Sequence, residues 1–300
     1  MTIKPQHLEP GDRIGIIAPA GPVDRDEIQP AIDLIKQKGY QTLISRNLYK
    51  KKGYLAGSDD ARLDDLLSMF SNKSVKAIFC ARGGYGTIRL LDKIDYDLIK
   101  KNPKIIAGYS DITALLFAIF RNTGLVTFHG PVLRDLVRGR KNNLNDLLKL
   151  LSSKTPHELD LSEGAVIKEG HAGGILMGGN LSLICSLAGT PFMPGMKGVI
   201  LFIEDKGEPL YRIDRMLSQL KLAGIIEGLS GLIAGSFTNC GDIKDINSIL
   251  RDIASGTGIP VVSGLPVGHD RKNKAIPLGI HADLDTKGRR LSFSETCVTG

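Results

Sequence analysis

A serine at the point where an apparent strand gives way to a helix is the first candidate for chemistry in this sequence. Ser110 follows the apolar stretch 105–108, which is typical of a short buried strand, and precedes the apolar stretch 112–120, which is typical of a helix. Backbone N–H groups at a helix N-terminus lack intrahelical partners and carry partial positive charge, so they could stabilise an oxyanion formed beside a nucleophilic serine. Serine is also a favoured N-cap residue. The stretch by itself therefore fits either a nucleophile or a helix cap.

A nucleophilic serine also needs a base and a group that orients the base. Of the six histidines, His129 and His269 lie in loops that follow predicted strands. Glu204 ends an apolar strand, where its carboxylate could accept a hydrogen bond from an imidazole, and Asp205 and Glu208 are neighbouring rivals. Spacing alone does not choose between the two histidines or among the three acids.

A glycine-rich loop, Arg82-Gly83-Gly84-Tyr85-Gly86, follows another predicted strand. Loops between a strand and a helix often bind phosphate, but this one lacks GxxxxGK[ST], and GxGxxG begun at Gly84 meets Arg89 where its last glycine should be. The serine elbow GxSxG is incomplete as well, because Ile112 occupies its last position. The sequence contains no HExxH or HxxEH motif, so no metal site is predicted. The loop is equally suited to bring backbone N–H groups against another anionic centre.

Composition restricts the classes of protein that fit. With 300 residues, 42% hydrophobic and 24% charged, the chain has the length of about two ordinary globular domains. No apolar run approaches the roughly 18 residues of a membrane span, and the N-terminus does not resemble a secretory signal, so we expect a cytoplasmic protein with no membrane partner. The net charge of +7 occurs in short clusters without interleaved aromatic residues, so no nucleic-acid partner is expected. The scattered residues Cys80, Cys185, Cys240 and Cys297 support neither disulfides nor a zinc site.

Strands alternate with amphipathic helices through the first half, which predicts a parallel sheet with helices on both faces. Ligands of such sheets bind beyond the carboxyl ends of the strands, where the glycine loop, Ser110 and His129 fall. A polar segment around Pro156 lacks periodicity and predicts a link between domains. The expected α/β organisation is an N-terminal flavodoxin-like or Rossmann-like domain in residues 1–151, a linker in 152–171, and a smaller mixed α/β domain in 172–300.

Several short stretches, taken together and in order, resemble the LD-carboxypeptidase family. This family of serine peptidases includes muramoyltetrapeptide carboxypeptidases and microcin-immunity proteins. Each stretch is weak alone, but jointly they are specific and span nearly the whole chain. They are GDRIG (11–15), APAG (18–21), ARGGYG (81–86), GYSDIT (108–113), HGP (129–131), GGNL (178–181), FIED (202–205) and GLPVGH (264–269).

The resemblance implies a catalytic triad of Ser110, Glu204 and His269, with the nucleophile in the first domain and its two partners in the second. It thereby favours His269 over His129 as the base. It further implies an oxyanion hole made by the backbone N–H groups of Asp111 and Gly84, or alternatively of Gly83 in place of Gly84. The three side chains would then meet at the junction of two domains.

The activity implied by the resemblance is acyl transfer through an acyl-enzyme on Ser110, with no metal or other cofactor. The expected partner is a small peptide, a murein tetrapeptide that loses its terminal D-alanine, and the protein is expected to form a homodimer. Arg82 is our candidate for binding the substrate carboxylate, on the basis of its position beside the oxyanion loop. Two alternatives remain open from the sequence: a microcin-immunity type hydrolase of peptidyl-nucleotides, and a non-catalytic two-domain protein that binds a ligand in its cleft.

Overall fold

Two β-sheets, each covered by helices, make up the computed structural model, which describes residues 2–138 and 142–300. The strands within these residues are β1 (Arg13–Ile17), β2 (Gln41–Ile44), β3 (Val75–Cys80), β4 (Ile105–Gly108), β5 (Thr127–His129), β6 (Glu158–Asp160), β7 (Ala165–Lys168), β8 (His171–Asn180), β9 (Val199–Lys206), β10 (Gly231–Thr238), β11 (Val261–Ser263), β12 (Ile276–Leu278), β13 (Ile280–Asp285) and β14 (Arg290–Phe293).

The described residues also form ten α-helices. They are α1 (Arg25–Gln37), α2 (Asp59–Ser71), α3 (Tyr96–Lys101), α4 (Ile112–Thr123), α5 (Leu133–Arg138), α6 (Asn142–Ser152), α7 (Leu181–Leu187), α8 (Leu210–Leu222), α9 (Ile225–Gly228) and α10 (Ile243–Ala254). Among these described helices, none is both long enough and apolar enough to cross a membrane.

The first sheet has the strand order β12-β5-β4-β3-β1-β2. Neighbouring strands from β2 through β1, β3 and β4 to β5 are parallel, and the order β2-β1-β3-β4-β5 is that of flavodoxin-like sheets. The central strands are apolar on both faces, and every residue of β4 is buried, as expected where helices cover both sides. The predicted flavodoxin-like α/β architecture is therefore confirmed.

The second sheet has eight strands, in the order β6-β14-β13-β8-β9-β10-β11-β7. Its centre, β8 to β11, is parallel, and antiparallel strands flank it on both sides. The edge strands β6 and β7 come from residues 152–171, which we expected from the sequence to be a linker. In β6 only Leu159 is buried, so such a short, half-exposed edge strand leaves little hydrophobic periodicity to detect.

The chain crosses from the second sheet back to the first near its C-terminus. Strand β12 pairs antiparallel with β5, so that Ile276 lies opposite His129. The sequence indicated β structure here but not its partner, because local pattern does not encode which distant strand supplies the hydrogen bonds. Residues 172–300 are consequently shared between the two sheets.

Helix α4 joins the two halves at the level of Ser110. All residues from Ile112 to Ile119 are buried, because α4 packs against the first sheet on one side and against β8 and α7 on the other. Strand β8 comes so close that a Cβ at Gly179 would lie 2.5 Å from Oγ1 of Thr113. The N–H of Asn180 donates to that same oxygen at 3.0 Å. The second sheet is thereby fixed one helical turn behind Ser110.

Candidate active site

Ser110 has a strained backbone between strand and helix. Its φ is +65°, a left-handed conformation that is uncommon for a residue other than glycine and is often found at functional sites. Asp111 is the N-cap of α4, and the carbonyl of Ser110 accepts from the N–H of Thr113 at 2.9 Å. The Ser110 hydroxyl makes no hydrogen bond to any described residue. The interpretation of Ser110 as a side-chain cap is therefore wrong, and its hydroxyl is available for chemistry.

Glu204 and His269 form the closest pair of ionisable groups at the site. Nδ1 of His269 donates to Oε2 of Glu204 at 2.6 Å. Glu204 lies near the end of β9 and is completely buried. Burial raises the pKa of its carboxyl, while the hydrogen bond from His269 acts in the opposite direction. A carboxylate on Nδ1 orients the imidazole and leaves Nε2 as the nitrogen that can take a proton.

A glycine allows the loop of His269 to reach Glu204. Gly268 has φ +122°, and a Cβ there would lie 2.7 Å from Oε2 of Glu204 and 2.6 Å from Oγ of Ser236. Its N–H donates to Oδ1 of Asn273 at 2.9 Å. Only a residue without a side chain can hold this close approach, so Gly268 sets the position of the histidine that follows it.

The first half of the chain also holds the His269 loop, through a residue that the sequence did not reveal. Asn143 is buried in α6, and its Nδ2 donates to the carbonyl of Arg271 at 2.9 Å. Its Oδ1 accepts from the N–H of Asn273 at 3.3 Å. The sequence feature that could have revealed Asn143 is its position beside Leu144 on an amphipathic helix. A buried amide at such a position needs hydrogen-bond partners.

The rival acids have other partners. Asp205 accepts from Nδ2 of Asn180 and from the N–H of Ser182, both at 2.9 Å, and so secures the start of α7. Glu208 lies 3.4 Å from Arg212. Of the three acids at the end of β9, Glu204 is the one that contacts a histidine in the described structure.

His129 lies in an apolar environment. It is completely buried, and neither ring nitrogen has a hydrogen-bond partner among the described residues. Its ring packs edge to face against Tyr109 at 5.8 Å and Phe202 at 5.1 Å between centroids. Burial, with a smaller contribution from His269, lowers the pKa of His129 to about 3. His129 is therefore neutral at ordinary pH and has no orienting carboxylate.

Tyr109 links the nucleophile segment to the base. Its ring centroid lies 4.7 Å from that of His269, and its hydroxyl donates to Oδ2 of Asp135 at 2.6 Å. The structure thus joins Glu204 to His269 directly and brings His269 against the residue that precedes Ser110. No hydrogen bond joins Ser110 to His269 in the described part of the chain.

The glycine loop approaches Ser110 closely. A Cβ at Gly83 would lie 2.9 Å from Cβ and 3.1 Å from Oγ of Ser110. The loop is held from the other side, where the N–H of Gly21 donates to the carbonyl of Gly83 at 3.0 Å. Gly84 has φ +117° and lies against Gly21. Within residues 2–138 and 142–300, the N–H groups of Gly84 and Asp111 have no acceptor, which leaves both able to bind an oxyanion.

The segment after the loop is tied to the start of α4. The N–H of Thr87 donates to Oδ2 of Asp111 at 2.8 Å, and the Thr87 hydroxyl donates to the Asp111 carbonyl at 2.5 Å. Asp111 is buried, which raises the pKa of its carboxyl. These bonds fix the backbone of Asp111 relative to the glycine loop.

Arg82 contacts the loop that follows β1. Its Nη1 donates to the carbonyl of Pro22 at 2.7 Å, and the side chain is half-buried. The role in binding a substrate carboxylate remains a hypothesis.

Two models of known protein families match the sequence of this chain. Residues 14–130 match the model of the LD-carboxypeptidase N-terminal domain, and residues 173–284 match that of the LD-carboxypeptidase C-terminal domain. The chain belongs to the LD-carboxypeptidase family. The resemblance seen in the short motifs is therefore confirmed.

Proteins named as murein carboxypeptidases and proteins named as MccF-like are both similar to this chain. A probable murein peptide carboxypeptidase of Bacillus subtilis is 41% identical over 297 residues, which cover 95% of this chain and 92% of that protein. The crystal structure of a muramoyltetrapeptide carboxypeptidase from Oxalobacter formigenes is 33% identical with a TM-score of 0.85, over 96% of this chain and 100% of that one. An MccF-like protein from Bacillus anthracis is 29% identical with a TM-score of 0.92, over 98% and 100% of the two chains.

Proposed function

We propose that this protein is a serine LD-carboxypeptidase that releases the terminal D-alanine of murein tetrapeptides, with Ser110, Glu204 and His269 as its triad. The observation that carries the proposal is the buried Glu204–His269 hydrogen bond of 2.6 Å, set against the segment that contains Ser110. The murein carboxypeptidase names of the similar proteins support the choice of substrate.

In the proposed reaction His269, oriented by Glu204, takes the proton of Ser110 as the hydroxyl oxygen attacks the carbonyl carbon of the scissile amide. The imidazolium then gives this proton to the amine of the departing D-alanine, and an ester forms on Ser110. Water, deprotonated by the same imidazole, hydrolyses the ester. Ser110 and His269 are not hydrogen-bonded in the described structure. We propose that substrate binding brings them together, since catalytic hydrogen bonds often form only in the complex.

The proposed oxyanion hole consists of the N–H groups of Asp111 and Gly84. Both are without an acceptor in the described structure, and the bonds between Thr87 and Asp111 hold one of them in place. Gly83 is the alternative donor because its backbone comes closest to Ser110. Each preorganised donor of this kind typically stabilises the transition state by about 3–4 kcal/mol.

A cleft of about 210 Å³ lies beside His269. Two basic side chains, Lys206 and Arg271, and two acidic ones, Asp135 and Asp270, line it. We propose that Lys206 and Arg271 contact carboxylates of a murein peptide there, while Arg82 binds the free carboxylate of the terminal residue.

The test is hydrolysis of a murein tetrapeptide that ends in an L-centre to D-alanine bond, followed by mass spectrometry of the products. We expect stoichiometric release of D-alanine and the tripeptide, and no cleavage of the pentapeptide between its two D-alanines. Failure to release D-alanine from the tetrapeptide at micromolar enzyme would contradict the proposed function.

A second candidate is hydrolysis of peptidyl-nucleotides, as in microcin immunity. The TM-score of 0.92 to an MccF-like protein favours it. An aminoacyl sulfamoyl adenosine tested beside the tetrapeptide at equal concentration distinguishes the two: the larger kcat/KM identifies the branch, and we expect the tetrapeptide to have it.

We further propose that the enzyme acts in the cytoplasm as a homodimer, with the nucleophile in a domain of residues 1–151 and its two partners in a second domain of residues 172–300. The sheet of this second domain also includes β6 and β7, which come from the segment between the two domains. Light scattering of the purified full chain tests the dimer; a mass near 32.4 kDa at micromolar concentration would contradict it.

A further inference from the structure

A basic depression lies at the edge of the first sheet opposite to Ser110. The catalytic groups follow the carboxyl ends of the parallel strands, whereas this depression lies where β3 and β4 begin. It has a volume of about 350 Å³, at the lower end of the range for small-molecule sites. Five lysines line it, and its lining contains no acid: Lys4, Lys73, Lys76, Lys101 and Lys104.

Neutral groups, not carboxylates, hold two of these lysines in place. Nζ of Lys73 donates to Oδ1 of Asn102 at 2.7 Å, and Nζ of Lys76 donates to Oε1 of Gln6 at 2.6 Å. A neutral acceptor fixes an ammonium group without cancelling its charge. Each ammonium has three N–H donors, so each of the two keeps further donors for a ligand.

One lysine of the depression, Lys4, forms an ion pair with a described residue. Nζ of Lys4 lies 2.6 Å from Oε2 of Glu295, a side chain that is 49% exposed. Such partly exposed pairs contribute little stability. The depression therefore keeps a clear excess of positive charge.

The buried position of Lys104 makes repulsion among the positive charges of the depression unfavourable. It is only 7% exposed, and its Nζ donates to the carbonyl of Asn72 at 2.7 Å and to that of Val75. Burial, together with the charges of Lys73 and Lys76, lowers its pKa to about 8. Like charges around a buried ammonium destabilise the empty depression, and a bound anion would offset that repulsion.

We propose that this depression is a binding site for a small anion that carries two linked phosphate groups. Lys4 is already paired with Glu295, so four ammonium groups are left to match. One carboxylate would leave about three of them unmatched and one phosphate about two, whereas a diphosphate brings about three negative charges and several acceptor oxygens into one small volume. Lysine binds phosphate as a point charge from several directions. The concave shape and small volume favour a compact diphosphate over an extended polymer.

The test is titration of the full-length protein with inorganic pyrophosphate by isothermal calorimetry at about 50 mM salt. We expect one site per chain, and a Kd that rises at least tenfold in the double variant Lys73→Gln, Lys76→Gln. The matched control is Lys36→Gln, Lys38→Gln, which removes the same charge from exposed residues near the end of α1 and should change Kd less than twofold.

A second readout is thermal unfolding. A ligand that binds only the folded state stabilises it by RT ln(1 + [L]/Kd). At a pyrophosphate concentration near the wild-type Kd, the Tm of the wild type and of the control variant should therefore rise clearly, and that of the Lys73, Lys76 variant should rise much less. Because the depression is at the opposite edge of the sheet from Ser110, D-alanine release should be unchanged in both variants.

Two further titrations identify the source of the phosphate groups. A nucleoside diphosphate tests a soluble source, and vesicles that contain an anionic phospholipid test a headgroup. The proposal is overturned if pyrophosphate does not bind, or if the two double variants lose affinity equally, because the effect would then follow net charge alone. It is also overturned if vesicles bind and both soluble diphosphates do not.

Discussion

The ring of Tyr109 packs against the imidazole of His269, with 4.7 Å between the ring centroids and 55° between the ring planes. Tyr109 precedes Ser110, so one short segment of backbone carries both the proposed nucleophile and a surface on which the proposed base rests. Asp135 holds the tyrosine hydroxyl at 2.6 Å. The imidazole is thus positioned by Glu204 at one nitrogen and by Tyr109 at its ring.

Replacing Tyr109 should separate its two contacts. Tyr109→Phe keeps the ring and loses the bond to Asp135, and we expect kcat/KM for the tetrapeptide to fall up to about tenfold. Tyr109→Leu also loses the aromatic contact, and we expect a further loss of similar size. Steady-state kinetics of variants with unchanged circular dichroism measures both effects.

The control for Tyr109 is Tyr96→Phe. The hydroxyl of Tyr96 donates to the carbonyl of Leu91 at 2.7 Å, away from the site, so its loss should alter stability without altering kcat/KM. Wild-type activity in Tyr109→Leu would show that the tyrosine does not position the base.

The strained backbone of Ser110 predicts a difference between two inactive variants. Glycine adopts φ +65° without steric cost, whereas alanine does not, and the strain of such a conformation is roughly 1–3 kcal/mol. Glycine also makes the unfolded chain more flexible, and this partly offsets the relief of strain. We therefore expect the free energy of unfolding of Ser110→Gly to be about 1 kcal/mol higher than that of Ser110→Ala. Urea denaturation measures this, and a less stable glycine variant would be evidence against strain at Ser110.

The close approach of the glycine loop can be tested with one methyl group. In Gly83→Ala the new Cβ would lie 2.9 Å from Cβ of Ser110, so the loop or the serine must move. We expect kcat to fall at least about a hundredfold, the scale for a displaced oxyanion donor. Gly195→Ala adds the same methyl group where no atom lies within 4 Å and should leave kcat unchanged; equal effects would refute the model of the loop.

Burial of His129 predicts a loss of stability in acid. The pKa of His129 is about 3 in the folded protein, against about 6.5 for a histidine in the unfolded chain. Between these two pH values the unfolded chain binds a proton that the folded chain does not. Stability from this group is complete above pH 6.5 and falls by up to about 1.4 kcal/mol per pH unit below it.

The measurement for His129 is urea denaturation of wild type and His129→Leu at several pH values from 7 to 4. The unfolding free energy of His129→Leu minus that of the wild type should rise steadily as pH falls, because leucine binds no proton in either state. A difference that is independent of pH would mean that His129 is protonated in the folded protein.

Regular, local patterns made much of the fold predictable from the sequence. The alternation of strands and helices in the first half is encoded by apolar runs and by the 3.6-residue period, and it led to the flavodoxin-like sheet. The edge strands β6 and β7 were not predictable because they carry few buried residues. The pairing of β12 with β5 was not predictable because it depends on a distant partner.

The candidate site was predictable to the extent that its residues lie in short, recognisable motifs. FIED and GLPVGH led to Glu204 and His269, which form the 2.6 Å pair. The supporting residues were missed: Asn143 and Asn273 fix the His269 loop across two elements, and Tyr109 acts through a ring contact. Each depends on three-dimensional proximity that no local spacing expresses.

The most direct test of the account is covalent labelling of the full-length protein with a fluorophosphonate, followed by peptide mapping and an assay of D-alanine release. We expect one adduct per chain in the wild type, located on Ser110, and none in Ser110→Ala, whose kcat for the tetrapeptide should fall at least about a thousandfold. An adduct on another residue, or D-alanine release by Ser110→Ala at the wild-type rate, would contradict the assignment of Ser110 as the nucleophile. A wild type that neither reacts with the probe nor releases D-alanine would instead identify a protein that binds a ligand without catalysis.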